Sequence, residues 1–165
     1  MECIFFRHGI AVERGKWDGQ EQDRPLTDKG VKRTGQSARG LRNLSVVPTH
    51  LLTSPLLRAR QTADVLHGLF RPRPAVHISV ELFPGTAPEK LCSLLATLPP
   101  DSIVICIGHE PHLSLTAALL LTGKPGSWLS LKKAGACLIR LEEAAGPAKG
   151  LLEWCLTAAQ LRTLA

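Results

Sequence analysis

The chain has 165 residues, 44% of them hydrophobic and only 4% aromatic, with a formal net charge of +6 and a pI near 9.4. That length suits a single domain, residues 1–165, and that apolar content does not fit a disordered chain. The basic surplus can attract nucleic acid, an acidic membrane or an anionic substrate, and does not choose among them.

The five cysteines, Cys3, Cys92, Cys106, Cys137 and Cys155, are odd in number and include no C-x-x-C pair. Neither a disulfide framework nor a zinc site is indicated. Met1-Glu2-Cys3 does not open a signal peptide. The greasiest segment, Leu113 to Leu121, is interrupted by Ser114 and Thr116 and falls well short of the ~20 residues that cross a bilayer. The chain is expected in the cytoplasm, with no membrane partner.

Short apolar runs alternate with longer segments of helical period. Glu2 to Arg7 is predicted as a first strand, and the polar, glycine-containing stretch from Val12 to Asp23 as a loop. Thr27 has the chemistry of an N-cap for a helix from Asp28 to about Leu44, although Gly30, Gly35 and Gly40 weaken it. His50 to Thr53 is a second strand. Pro55 suits the first turn of a helix reaching Leu69. Val76 to Val80 is a third strand, and Pro88 to Leu98 a third helix. Ser102 to Ile107 is an unbroken, largely β-branched run, as a strand covered on both faces should be. Gly108 ends it, and Pro111 opens a helix to about Leu121. Beyond Gly123, strands are expected at Trp128–Leu131, Ala136–Glu142 and Leu151–Leu156, with a last helix over Thr157–Leu164. This alternation predicts an α/β fold, helices on both faces of a mostly parallel sheet with antiparallel edge additions.

In such sheets ligands bind at the carboxyl ends of the strands. Three predicted strands end in chemistry: the first in Arg7-His8-Gly9, the second in Ser54-Pro55 with Arg58 just beyond, the fourth in Gly108-His109-Glu110. A phosphoryl group fits this set. Arg7 and Arg58 offer forked donors to its oxygens, and His109, protonated or at least donating, adds a third contact. His8 is then free to act as nucleophile, its lone pair kept available by cationic neighbours that disfavour the imidazolium. Lys132-Lys133 reads as a solvated strand end, and Asp18 and Asp23 as loop-solvating charges. Arg60, His50, His67 and His77 read as structural or solvent-facing, and His112 as structural beside the site. No histidine spacing suggests a metal site, and no cofactor is expected.

These residues carry a resemblance. Arg7-His8-Gly9, "RPLTDKG" (Arg24 to Gly30), "SPLLRARQTA" (Ser54 to Ala63) and "GHEP" (Gly108 to Pro111) resemble, in order and spacing, the motifs of the histidine phosphatase superfamily, the phosphoglycerate mutase-like proteins. Shortness, Arg7-His8-Gly9-Ile10-Ala11 and the tail "KKAGACLIRLE…GLLEWCLTAAQL" resemble its SixA-type branch, described as removing phosphate from phosphohistidine on proteins. The resemblance implies a three-layer αβα sandwich, a phosphohistidine intermediate at His8, phosphate ligation by Arg7, Arg58 and His109, and no metal. Mutase-type members carry a proton-donating glutamate on an inserted segment, whereas "VELFPGTAPEKL" here leaves no room for a cap. The donor is open between Glu110, Glu81 and solvent.

The leading expectation is therefore a metal-independent phosphatase for a phosphohistidine-containing protein, releasing phosphate. A phosphatase of small phosphorylated metabolites is the rival enzyme, and a non-catalytic phosphate-binding module the rival of another class. Nucleic acid is not expected as a partner, because no aromatic platform for stacking bases interleaves the basic residues. No G-x-S-x-G elbow or Walker-type loop occurs.

Overall fold

Cys3-Ile4-Phe5-Phe6 is apolar at every position, a pattern suited to a strand covered on both sides. In the structure, a computed structural model that describes residues 1–142 and 145–165, these four residues are fully buried within β1 (Glu2–Arg7). The other strands are β2 (His50–Thr53), β3 (Ala75–Ile78), β4 (Ile103–Gly108), β5 (Ala136–Leu141) and β6 (Gly150–Leu156). They form one sheet in the order β3-β2-β4-β1-β5-β6. The β1–β4, β2–β4 and β2–β3 pairs are parallel, and β5 and β6 add the antiparallel edge.

Side chains alternate across a strand, and here the alternation sorts the core into two layers. Cys3, Phe5, Val104 and Cys106 pack with Leu91 and Leu95 of α3 (Pro88–Leu95) and with Leu113, Ala117 and Leu120 of α4 (His112–Thr122). Ile4, Phe6, Ile105 and Ile107 pack on the opposite face. Their partners are Ala38 and Leu41 of α1 (Asp28–Asn43), Ala59, Ala63 and Leu66 of α2 (Leu57–Leu69), and Leu161 of α5 (Ala158–Thr163). The result is the three-layer αβα sandwich with a mostly parallel sheet and antiparallel additions. No helix among the described residues is long and apolar enough to cross a membrane.

Thr27 caps α1 by accepting the Gly30 N–H at 3.0 Å. The glycines that weakened this helix on propensity are steric requirements. A Cβ on Gly30 would lie 2.0 Å from the Ile10 carbonyl oxygen, and one on Gly40 equally close to that of Leu161. Close backbone approach at these two points lets α1 hold both the His8 loop and α5.

Several expected elements differ. Trp128–Leu131 is not a strand. Trp128 is exposed, and Leu131 spends its backbone groups on side chains, its N–H on Glu110 and its carbonyl on Arg7. Lys132-Lys133 therefore sits in a turn before β5 rather than at a strand end. The third strand lies earlier than Val76–Val80, because Val80–Leu82 forms a 3-10 turn that sends Leu82 into the core. Pro55 precedes the helix instead of opening it: the Leu56 N–H reaches Ser54 Oγ, and the Leu56 carbonyl accepts the first helical N–H groups. The polar loop contains two short 3-10 turns, Arg14–Lys16 and Glu21–Asp23.

Candidate active site

The parallel register of β1 and β4 pairs Arg7 with Gly108, so the residues just beyond both strands emerge side by side. His8 and His109 meet there, with ring centroids 5.0 Å apart. The His8 backbone is fixed from both sides, its N–H on the Gly108 carbonyl and its own carbonyl accepting from Ala134. Thr62 ties the same loop to α2, accepting the Gly9 N–H at 3.1 Å and donating to the Arg58 carbonyl at 2.7 Å.

His8 is 6% exposed. Its Nδ1 lies 2.7 Å from the Gly9 carbonyl oxygen, which can only accept. Nδ1 therefore carries the proton, and Nε2 keeps a free lone pair. Burial, opposed by the Gly9 bond and aided by Arg58, Arg7 and Lys133, lowers the His8 pKa to about 3. At neutral pH the ring is an uncharged base.

His109 is also buried. Its Nε2 lies 2.9 Å from Ser54 Oγ, a hydroxyl that also accepts the Leu56 N–H and can donate its own proton to the ring. With Ser54 donating, the ring proton sits on Nδ1, which has no protein partner. Burial first, then His8 and Arg58, lower the His109 pKa to about 2. Of the two expected states of His109, protonated or merely donating, the free protein favours the neutral donor, chiefly because the ring is buried and secondarily because His8 and the cations adjoin it.

Arg7 and Arg58 flank the pair. Arg7 donates to the Leu131 carbonyl at 2.8 Å. Arg58, 4% exposed, donates to the Glu21 carbonyl and contacts the Glu21 carboxylate at 3.3 Å. The Nε atoms of both arginines are buried without a protein partner. Buried guanidinium donors normally find acceptors, so three unpaired donors beside one another, Arg7 Nε, Arg58 Nε and His109 Nδ1, mark a place for an anion.

These residues line a cavity of about 360 Å³ with Arg14, Arg24, Pro84, Glu110 and Lys133. Five cationic side chains therefore face one carboxylate and two neutral imidazoles. Glu110 accepts from the Leu131 N–H at 3.2 Å and from Ser114 Oγ at 2.5 Å. Glu81, the other candidate donor, instead accepts from Ser79 and lines a separate cavity with His50 and His77. His112, which opens α4, is buried, with neither ring nitrogen bonded. Arg60 is exposed, as expected. Among the described residues, no group of three or more His, Cys, Asp or Glu is placed to hold a metal ion.

Sequence reasoning named Ser54 only as a strand end and read Lys133 as solvated rather than as part of the site, and it did not single out Thr62, Glu21, Arg14 or Arg24. Ser54 and Thr62 were within reach, since both lie in the Ser54–Ala63 motif. The others come from a turn and a loop whose docking depends on tertiary contacts.

The histidine phosphatase superfamily (branch 1) matches residues 3–80. An uncharacterized protein of Picosynechococcus sp. is 42% identical over 147 residues, covering 85% of each chain. Among solved structures, the protein histidine phosphatase SixA complexed with tungstate superposes with a TM-score of 0.84 at 23% identity, covering 98% of this chain and 99% of that one. A mycobacterial glucosyl-3-phosphoglycerate phosphatase superposes with a TM-score of 0.73 at 17% identity, covering 94% and 99%.

Proposed function

The chain belongs to the histidine phosphatase superfamily, and from that premise we propose that it is a phosphatase that hydrolyses phosphohistidine on a protein partner through a covalent intermediate on His8. The observation that carries this reading is the state of His8: an uncharged ring, oriented through Nδ1 by Gly9, with Nε2 free in a cup of cations.

In the first step His8 Nε2 attacks phosphorus and the P–N bond to the substrate imidazole breaks. The leaving nitrogen takes a proton from solvent or from Glu110. One phosphoramidate replaces another, so this step needs little driving force. In the second step water attacks the phosphorus on His8. Phosphate departs, and the His8 ring returns to its neutral form. Arg7, Arg58 and the Nδ1–H of His109 stabilise the charge spread over the equatorial oxygens in both transition states. The arginines and Lys133 supply this stabilisation without a metal ion.

The protein-borne substrate is supported by what surrounds the cup. Residues 79–87 alone connect β3 to α3. A small metabolite site usually encloses most of its ligand, and a connection this short builds no cap, whereas a side chain presented by a second protein needs none. The fold does not choose the substrate, and the two superposed structures are described with different ones.

The test is a rate comparison of the purified chain on several phosphohistidine proteins and on common sugar phosphates, beside His8→Ala. The expected result is turnover of phosphohistidine protein, an acid-labile phosphoryl adduct on the wild type, and neither with His8→Ala. Faster turnover of sugar phosphates would move the assignment to small metabolites. Full turnover by His8→Ala would end the covalent mechanism.

A further inference from the structure

A second cationic cavity, of about 440 Å³, adjoins the cup and shares Arg7 and Lys133 with it. Its other charged walls are Arg33 of α1, Lys132 from the turn before β5, and Arg162 of α5. No acidic residue lines it; its remaining walls include Ile10, Ala134, Ala158 and Ala159. Among the described residues Arg33, Lys132 and Arg162 form no ion pair, unlike Arg14, Arg24 and Arg140 elsewhere on the surface. Three elements distant in sequence thus present unneutralised charge to one concavity beside the nucleophile. Apolar walls lower the local dielectric and focus that field.

We propose that this cavity seats an acidic segment of the phosphoprotein substrate while the phosphohistidine enters the adjoining cup. The inference rests on the reading of the cup as a protein phosphohistidine phosphatase and adds how the partner is selected. Charge complementarity identifies the occupant: cations with no internal counter-charge, alanine and isoleucine walls that suit the methylenes of Asp and Glu, and no aromatic surface for a base. The position fixes the occupant relative to the reaction. Arg7 and Lys133 border both cavities, so an acidic side chain in one lies next to the phosphoryl group in the other. Recognition of this kind acts on encounter and on KM and leaves the chemical step alone.

The test has a binding arm and a kinetic arm. In the first, a fluorescein-labelled hexaglutamate peptide is titrated by anisotropy against wild type, His8→Ala and the triple variant Arg33→Glu/Lys132→Glu/Arg162→Glu. The milder pair Arg33→Gln/Arg162→Gln covers the event that the triple variant does not fold. Wild type and His8→Ala should bind alike, with affinity falling as salt rises, and the triple variant should bind ~10-fold or more weakly. In the second arm, KM for a phosphohistidine protein should rise ~10-fold in the triple variant with kcat unchanged, and free phosphoramidate should be hydrolysed as by wild type. Equal peptide binding by wild type and both charge variants overturns the proposal, as does the absence of peptide binding by wild type. A loss of turnover shared by phosphoprotein and phosphoramidate also overturns it, because the cations would then belong to the chemistry. Failure of the wild type to hydrolyse any phosphohistidine, with peptide binding lost only in the charge variants, removes the reaction assigned above and supports the acidic-segment site.

Discussion

Acidification from pH 7.5 to pH 5 should destabilise the protein in a way traceable to His8 and His109. Both rings are buried and neutral, with pKa values lowered from 6.5 to about 3 and about 2. In the unfolded chain both return to the ordinary value, so below pH 6.5 the unfolded state binds more protons and stability falls with pH. At pH 5 the folded rings remain neutral, while the unfolded ones are almost fully charged. The gap of about 1.5 between pH 5 and 6.5, at about 1.36 kcal/mol per pH unit, gives about 2 kcal/mol per ring and about 4 kcal/mol for the two. That is a large share of the roughly 5–15 kcal/mol that holds a typical domain together. Burial lowers His112 as well and adds to the loss with the same sign. Carboxylates do not confuse the result: Glu21, held down to about 2 chiefly by its bond to Arg24, loses its contribution only as pH falls below about 4.5. Urea unfolding followed by circular dichroism at pH 7.5, 6.5, 5.5 and 5 measures the effect. His8→Asn should remove about half of the slope. A free energy at pH 5 within about 1 kcal/mol of that at pH 7.5 would refute the reasoning, because the rings would then be solvated or already charged.

Thr62→Val keeps the shape of a fully buried side chain but strips the Gly9 N–H of its acceptor; it should cost about 1–3 kcal/mol in urea unfolding and lower kcat by loosening the turn that orients His8. Gly30→Ala should also destabilise by about 1–3 kcal/mol, since its Cβ would meet the Ile10 carbonyl oxygen, a rigid backbone atom, at 2.0 Å. For Glu110→Gln, both carboxylate oxygens are engaged, one with Leu131 and one with Ser114. The expected loss of kcat is the same for phosphoramidate, phosphohistidine and a phosphate ester with a basic alkoxide leaving group; a loss that climbs to ~10²–10⁴-fold on the ester alone would instead make Glu110 the proton donor.

The strand ends were readable because a fully covered parallel strand writes an uninterrupted apolar run, and the abrupt arrival of Arg7-His8 or Gly108-His109 shows where it stops. The run of motifs pointed to His8, Arg7, Arg58 and His109 by the same means, and the fold brings those four side chains to one cavity. Trp128–Leu131 misled for a related reason: apolar composition says that Leu131 is buried but not whether its backbone bonds to a strand or to Glu110 and Arg7. Gly30 and Gly40 count against a helix on propensity, and only the packing of Ile10 and Leu161 against them reveals their purpose. The loop from Val12 to Asp23 reads as solvated charge, yet it folds Glu21 onto Arg14, Arg24 and Arg58. The pairs with Arg14 and Arg24 are local, whereas the one with Arg58 depends on α2 being in place. The charge state of His109 likewise follows from burial, which the sequence order of residues does not display.

The contact between Glu21 and Arg58 has a consequence for turnover. Before any ligand arrives, the second arginine already leans on an internal carboxylate, so an incoming oxyanion gains only the difference between two partners. In the reaction proposed above, a transferring phosphoryl group, with charge spread over three oxygens and held at the same moment by Arg7 and His109, would compete well for that guanidinium. Orthophosphate liberated from His8 in that scheme would compete less well. The resident acid would then tilt the exchange toward letting spent anion go, returning the cup to the next substrate with its arginine still in position.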